Sequence, residues 1–153
     1  NSDPVTMATI GPVMSRAESD AFMNRIDRHF ADHGYGLWCV DLGGEALGFT
    51  GLAHPWFREG LEIGWRLRSE FWGRGYATEA AREVLRFAFD VLGLDEVISF
   101  TAVTNVKSRA VMERIGLVRD PNQDFDHPSL QEGDPLRPHV LYLLSAERYG
   151  ESS

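Results

Sequence analysis

The stretch Phe71-Trp72-Gly73-Arg74-Gly75-Tyr76-Ala77-Thr78 decides the fold. Before it, Leu61 to Arg68 alternates apolar Leu61, Ile63, Trp65 and Leu67 with Glu62, Gly64, Arg66 and Arg68, the pattern of a strand with one apolar and one polar face. After it, Ala77, Ala80, Ala81, Val84, Leu85, Ala88 and Leu92 recur at helical spacing, an apolar stripe on a surface helix. Two glycines between a strand and a helix permit a tight backbone turn. The N–H groups of residues 73–78 then lack partners inside the helix. Together with the helix dipole they form a site for phosphate oxygens, to which Arg74 would add a positive charge. A plain strand-to-helix turn with convenient glycines is the competing reading. Other phosphate loops fit badly. No Gly-x4-Gly-Lys-Ser/Thr is present, and Thr78 stands where a dinucleotide loop wants glycine or alanine.

Working outward, Ser15-Arg16-Ala17-Glu18 matches a helix-start box. Phe22, Met23, Ile26 and Phe30 follow at helical spacing, so the pattern predicts a helix over 16–33 stopped by Gly34. Residues 37–42 and 45–53 read as two strands joined by the tight turn Gly43-Gly44. A strand over 97–103, a short helix over 106–115 closed by Gly116, and a last strand over 140–144 complete the series. The first three strands should be antiparallel, and the crossover 61–103 should be parallel. The expected class is α/β: a mixed sheet with helices on its faces. Residues 119–138 hold four of the seven prolines and read as one long structureless loop, a kind of segment that is often functional. Cys39 is expected to be buried and inert. Trp38, Trp56, Trp65 and Trp72 are assigned to core or cleft walls.

A length of 153 residues suits one domain. One cysteine excludes an internal disulfide framework and a zinc–thiolate cluster. The formal charge of −8 argues against a nucleic-acid or anionic-membrane partner. No apolar run of about 18 residues exists to span a membrane. Asn1-Ser2-Asp3-Pro4 has no signal-peptide features, so the expected location is cytoplasmic.

Glu62-Ile-Gly-Trp-Arg-Leu67, Trp72-Gly-Arg-Gly-Tyr-Ala-Thr-Glu-Ala80, Asn105-Val-Lys-Ser-Arg109 and Met112-Glu-Arg-Ile-Gly-Leu117 together resemble the GNAT N-acetyltransferases. The nearest branch is that of ribosomal-protein N-terminal acetyltransferases (RimJ/RimL-like). The resemblance spans residues 15–144. It implies the GNAT fold: a mostly antiparallel sheet in which two central parallel strands, here 61–68 and 96–103, splay apart around acetyl-CoA. It implies that Trp65, Arg66 and Leu67 meet the pantetheine arm. The pyrophosphate would sit on Gly73, Arg74, Gly75, Tyr76, Ala77 and Thr78, and Asn105 and Ser108 would face the pantetheine and its sulfur. It also implies an amine acceptor, with a homodimer left open. Two positions depart from the family. Trp72 occupies a place often held by Gln or Arg. Met112 stands where many members carry a tyrosine that protonates the leaving thiolate, which leaves Ser108 as the substitute. Members of this branch also begin with an Arg-rich strand and a helix that have no counterpart here, so residues 1–153 are expected to be a single domain lacking those elements.

Acetyl transfer needs a base for the amine proton, a donor for the thioester oxygen, here a backbone N–H near Leu67, and aligned reactants. Glu62, on the polar face of a cleft-wall strand, is the first candidate base. Asp126 and His127 in the long loop come second and His54 third, each with a structural role as the alternative. Trp56 and Phe57, also in a loop, are candidates for the acceptor pocket. Asp124, Asp126, His127 and His139 match no metal-binding spacing, and no metal is expected. The competing functions are a CoA-binding module that has lost catalysis and a binder of a different phosphate-bearing ligand on the same loop.

Overall fold

The computed structural model describes residues 1–152. The helix expected over 16–33 is α2 (Arg16–His33). Ser15 Oγ accepts from the Glu18 N–H, the Glu18 carboxylate accepts from the Ser15 N–H, and Gly34 closes the helix at φ 78°. The hairpin β1 (Leu37–Leu42) and β2 (Glu45–Ala53) turns at Gly43-Gly44 as the sequence indicated. β3 (Glu62–Leu67) pairs antiparallel with β2. α3 (Tyr76–Arg86) runs from the glycine turn. β4 (Glu96–Ala102) and α4 (Val106–Arg114) follow, and β7 (Pro138–Ser145) with α5 (Ala146–Ser152) ends the described chain.

Among the described residues the sheet has seven strands in the order β1-β2-β3-β4-β7-β5, where β5 is Val118–Arg119, and β6 (Phe125–Asp126) also pairs with β7. Its one parallel pair is β3–β4. That pair meets only at Glu62 opposite Ile98, where the Ile98 N–H donates to the Leu61 carbonyl at 3.1 Å. Beyond this point the strands are joined by a side chain, Ser99 Oγ donating to the Ile63 carbonyl at 2.8 Å. Their C-terminal ends therefore diverge, and both are followed by the N-terminus of a helix.

Burial explains the two faces. Leu52, Ile63, Val97, Val140, Tyr142 and Leu144 point to one side and pack against Ala81, Val84 and Leu85 of α3 and Val111 and Met112 of α4. Phe49 points to the other side, where Phe22 of α2 meets it at 5.5 Å between centroids. The register between β1 and β2 slips after Val40, and Leu47 turns inward onto Leu67 and Phe71. Such a bulge re-aims one side chain. Gly48 makes it possible: its φ is 151°, and a Cβ there would lie 2.1 Å from the Arg66 carbonyl oxygen.

Three readings of the sequence need correction. Residues 119–138 are not structureless. β5 (Val118–Arg119) and β6 (Phe125–Asp126) both pair with β7, and a 3₁₀ turn spans Pro121–Gln123. Short strands of two residues carry no readable alternation, so the prolines and acids dominated the pattern. Cys39 is exposed, not buried, because β1 is the outermost strand. The long helix is not uniform: after Arg86 it continues as a π turn, Phe87–Val91. That turn aims Phe87 at Trp38 and stacks Phe89 on Tyr149 at 4.6 Å. The sequence reading assigned no element before Ser15, and the structure adds one there. Asp3 caps the short helix α1 (Pro4–Met7) and accepts from Ser69 Oγ at 2.7 Å and Thr6 Oγ1 at 2.6 Å. These bonds hold its carboxyl well below the usual carboxylate range. Thr6 and Met7 are buried.

Candidate active site

The diverging ends of β3 and β4 open into a groove of about 1960 Å³. Its walls include Trp65, Arg66 and Leu67 of β3, the turn Gly73, Gly75, Tyr76, Ala77 and Thr78, and Asn105, Lys107 and Ser108 at the start of α4. The three segments proposed from sequence thus come together. The Arg74 side chain lies off the groove wall, with its guanidinium over Phe71 at 5.9 Å. Ala8, Thr9 and Ile10 from the N-terminal turn also line the groove, and no signal in the sequence pointed to them.

The turn has the geometry of an anion cradle. Gly73 and Gly75 have φ of 75° and 80°, and Gly75 is the residue before α3. That backbone favours glycine. The first intrahelical bond of α3 is from the Glu79 N–H to the Gly75 carbonyl at 3.0 Å, so the amides ahead of it are not consumed by the helix ladder. They sit at the positive end of the helix dipole. Lys107, unanticipated, lies 4.3 Å from the Trp72 ring centroid and brings a cation to the same wall. Trp72, on the same wall, makes a bond within the protein. Its Nε1 donates to the Leu67 carbonyl at 3.0 Å, which ties the turn to the end of β3. Asn105 caps α4, its Oδ1 accepting from the Ser108 N–H at 3.2 Å. This leaves the NH₂ end of the Asn105 amide as the donor it can offer. Ser108 is half-buried on the groove wall. Met112, at 1% exposure, is a core residue. The Arg66 side chain points to the opposite face. Its guanidinium lies over Phe49 and Phe22 and donates to Asn1 Oδ1 at 2.7 Å, and its burial lowers its pKa.

On that opposite face lies a second constellation. Glu62 starts β3 beside Ile98, and Phe100 is two residues further along the same face of β4. Phe57, Phe100, Phe125, His127 and His139 form a cluster with ring centroids between 4.9 and 6.4 Å for the pairs that touch. Arg58 connects it to Glu62. Its guanidinium lies over Phe125 at 5.6 Å and donates to Gln123 at 3.0 Å, while its Nε is buried without a partner. Burial pushes the Glu62 carboxyl up to about 8, and the Arg58 cation only partly offsets this. His127 and His139 are held below the usual histidine range by burial. His127 Nδ1 accepts from the Ser129 N–H at 3.1 Å. The site therefore contains a carboxyl that titrates near neutrality and two imidazoles that stay neutral there.

Phe57 and His127 were expected at the acceptor site, and they are in this cluster. Trp56 packs its edge on Phe57 but is 74% exposed. Asp126 is exposed on β6. His54 belongs elsewhere: it bonds Tyr35 Oη at 2.9 Å and packs on His29 and His33. Burial and those two imidazoles lower its pKa. Phe100, Phe125 and His139 were not foreseen as members of this cluster. The alternation of Ile98 and Phe100 along their strand was the available signal.

Among the described residues no helix is long and apolar enough to cross a membrane.

Comparison with known proteins agrees with this geometry. The sequence model of the acetyltransferase (GNAT) domain matches residues 1–118. The chain is 38% identical over 128 residues to an FsC-acetyl coenzyme A-N(2)-transacetylase of Aspergillus fumigatus, a match covering 76% of this chain and 52% of that protein. It is 46% identical over 59 residues to YdaF of Bacillus subtilis, provisionally named a ribosomal N-acetyltransferase, covering 39% of this chain and 32% of that protein. The matched segments thus span about half and about a third of these relatives. A crystal structure of an acetyltransferase from Agrobacterium tumefaciens superposes with a TM-score of 0.75 at 30% identity, covering 94% of this chain and 79% of that one. Motif order, splayed strands and these matches converge on one statement: the chain belongs to the GNAT acetyltransferase family.

Proposed function

We propose that the chain is an acetyl-CoA-dependent N-acetyltransferase whose two faces divide the work. CoA would lie in the groove, and the acceptor amine would enter beside Glu62. The observation that carries this reading is the divergence of β3 and β4 between the two constellations. A groove with free helix-end amides lies toward their C-terminal ends, and an uncharged carboxyl stands where they meet. The groove fits the group in three respects. It has turn amides with no intrahelical partner, two glycines that leave the turn open, and Lys107 for phosphate charge.

Acetyl-CoA supplies an activated acyl thioester. This chain's residues do the rest. The turn amides of 73–78 hold the pyrophosphate. The β3 backbone at Trp65 to Leu67 aligns the pantetheine and offers a donor to the thioester oxygen. Glu62, when ionised, takes the proton from the attacking nitrogen, directly or through water. With a pKa of about 8 it is a better base than an ordinary carboxylate. As the amine forms its C–N bond and the C–S bond breaks, the Ser108 hydroxyl on the groove wall would give its proton to the departing sulfur and regain one from solvent.

The half-buried aromatic cluster suits an amine carried on an apolar or planar group. A protein N-terminus fits, as the ribosomal-protein branch would have it, and so does a small amine. We place the protein in the cytoplasm on the same family reading. Release of free thiol from acetyl-CoA, followed with a panel of peptides, polyamines and small amines, tests the proposal. Amine-dependent thiol release supports it. Saturable CoA binding with no turnover on any acceptor would instead favour a binding module, and a response to ATP or NAD but not CoA would refute the groove assignment.

A further inference from the structure

A third cluster lies outside the groove and the aromatic cluster. His29 and His33 are one turn apart on α2, so their imidazoles leave the same helix face. His54 reaches them from the segment after β2. The ring centroids are 4.5 Å apart for His29–His33 and His33–His54, and 5.4 Å for His29–His54. One ring nitrogen from each lies within 4.8 Å of the other two, and the group includes no carboxylate.

We propose that His29, His33 and His54 form a binding site for a divalent transition-metal ion of the zinc type. Three imidazoles are a donor set that suits zinc, copper or nickel. Tyr35 supplies the outer contacts such a site uses. Its carbonyl oxygen is 2.8 Å from His29 Nδ1, which fixes the proton on Nδ1 and leaves the Nε2 lone pair facing the cluster. Its hydroxyl is 2.9 Å from His54 Nε2, which leaves His54 Nδ1 as a donor to an ion. Among the described residues the competitor for His29 Nε2 is a long 3.3 Å bond from the His54 N–H. A tetrahedral ion with bonds of about 2.0–2.1 Å draws its nitrogens to about 3.3 Å of one another. Rotation of the exposed His33 and His54 rings supplies that closure. The ion would fasten the end of α2 to the segment that continues into Trp56, Phe57 and Arg58, and so would set the position of the aromatic pocket from outside it. This departs from the sequence expectation of no metal, in which only Asp124, Asp126, His127 and His139 were weighed as ligands.

The test is a zinc titration of the full chain against a chromophoric chelator, repeated with cobalt to read the d–d absorption of a low-coordinate site. The account expects one ion per chain. His33→Ala and His54→Gln should each weaken binding at least roughly 10-fold, and Tyr35→Phe by roughly 10-fold as an outer contact. His127→Gln, in the other histidine cluster, should bind zinc as the wild type does. His33 is exposed, so its replacement leaves the fold intact and keeps the test decisive. No uptake at micromolar zinc, undiminished binding in the His33 and His54 variants, or an equal loss in the His127 variant would each overturn the proposal.

Discussion

Replacing Glu62 by Gln offers a prediction that the fold itself makes, independent of any substrate. In the folded chain the Glu62 carboxyl titrates near 8, against 4.5 for an ordinary glutamate. The folded state therefore keeps its proton over a pH range where the unfolded chain has released it. The sign follows. The Glu62 contribution is fully present below pH 4.5 and is lost as the pH rises through 8. Each pH unit in that window weighs about 1.4 kcal/mol against the folded state. Between pH 5 and pH 8 the wild type should lose about 3.5 kcal/mol that Glu62→Gln does not lose. Urea denaturation of both proteins at four pH values measures this, and taking the difference cancels the other titrating groups. The difference should be small at pH 5 and grow steadily to favour the variant at pH 8. A difference that moves by less than about 1 kcal/mol across the range would show that Glu62 is solvated in the folded state. That result would remove the physical basis for assigning it as the base.

Other outcomes follow from named contacts. Gly75→Ala should cost about 1 kcal/mol of stability through its φ of 80° alone, since nothing lies within 4 Å of its Cβ position. Gly75→Asp should in addition weaken CoA binding at least 10-fold, roughly one charge repulsion at the cradle, as read by calorimetric titration. Phe57→Ala should raise KM for the amine several-fold and leave CoA affinity unchanged, because Phe57 packs in the aromatic cluster and lines no part of the groove. Gly48→Ala should cost about 3 kcal/mol or more in chemical denaturation, since backbone at 2.1 Å cannot yield as a side chain can.

Much of the architecture was legible because its signals are local. The Ser15–Glu18 box, the Gly43-Gly44 turn and the stripe from Ala77 to Leu92 each depend on residues near one another in sequence. The groove was legible too, because glycine spacing and helix-end amides are properties of one turn. What escaped depends on tertiary partners. Pairing of β6 with β7 sets Phe125 opposite His139, and β6, with two residues, has no period to read. Trp72 was read only for the ligand contact it cannot make, and the bond from its indole N–H to the Leu67 carbonyl depends on how the turn folds back on β3. Cys39 looked buried because its strand is apolar in composition, and only strand order places it at the edge. The protonation of Glu62 rests on burial beside Arg58, which no spacing encodes. The histidine cluster joins a helix to a segment more than twenty residues later, so His29 and His33 alone gave no reason to look for His54.

The central claim is that the amides from Gly73 to Thr78 hold the pyrophosphate of CoA. It is tested most directly by titrating CoA into ¹⁵N-labelled protein and following the backbone amide resonances. The account predicts saturable shifts of the Gly73, Gly75 and Tyr76 amides at the same midpoint as those of Asn105 and Ser108, with the Gly43-Gly44 turn unmoved. Saturable CoA binding that leaves the Gly73 and Gly75 amides in place would contradict it.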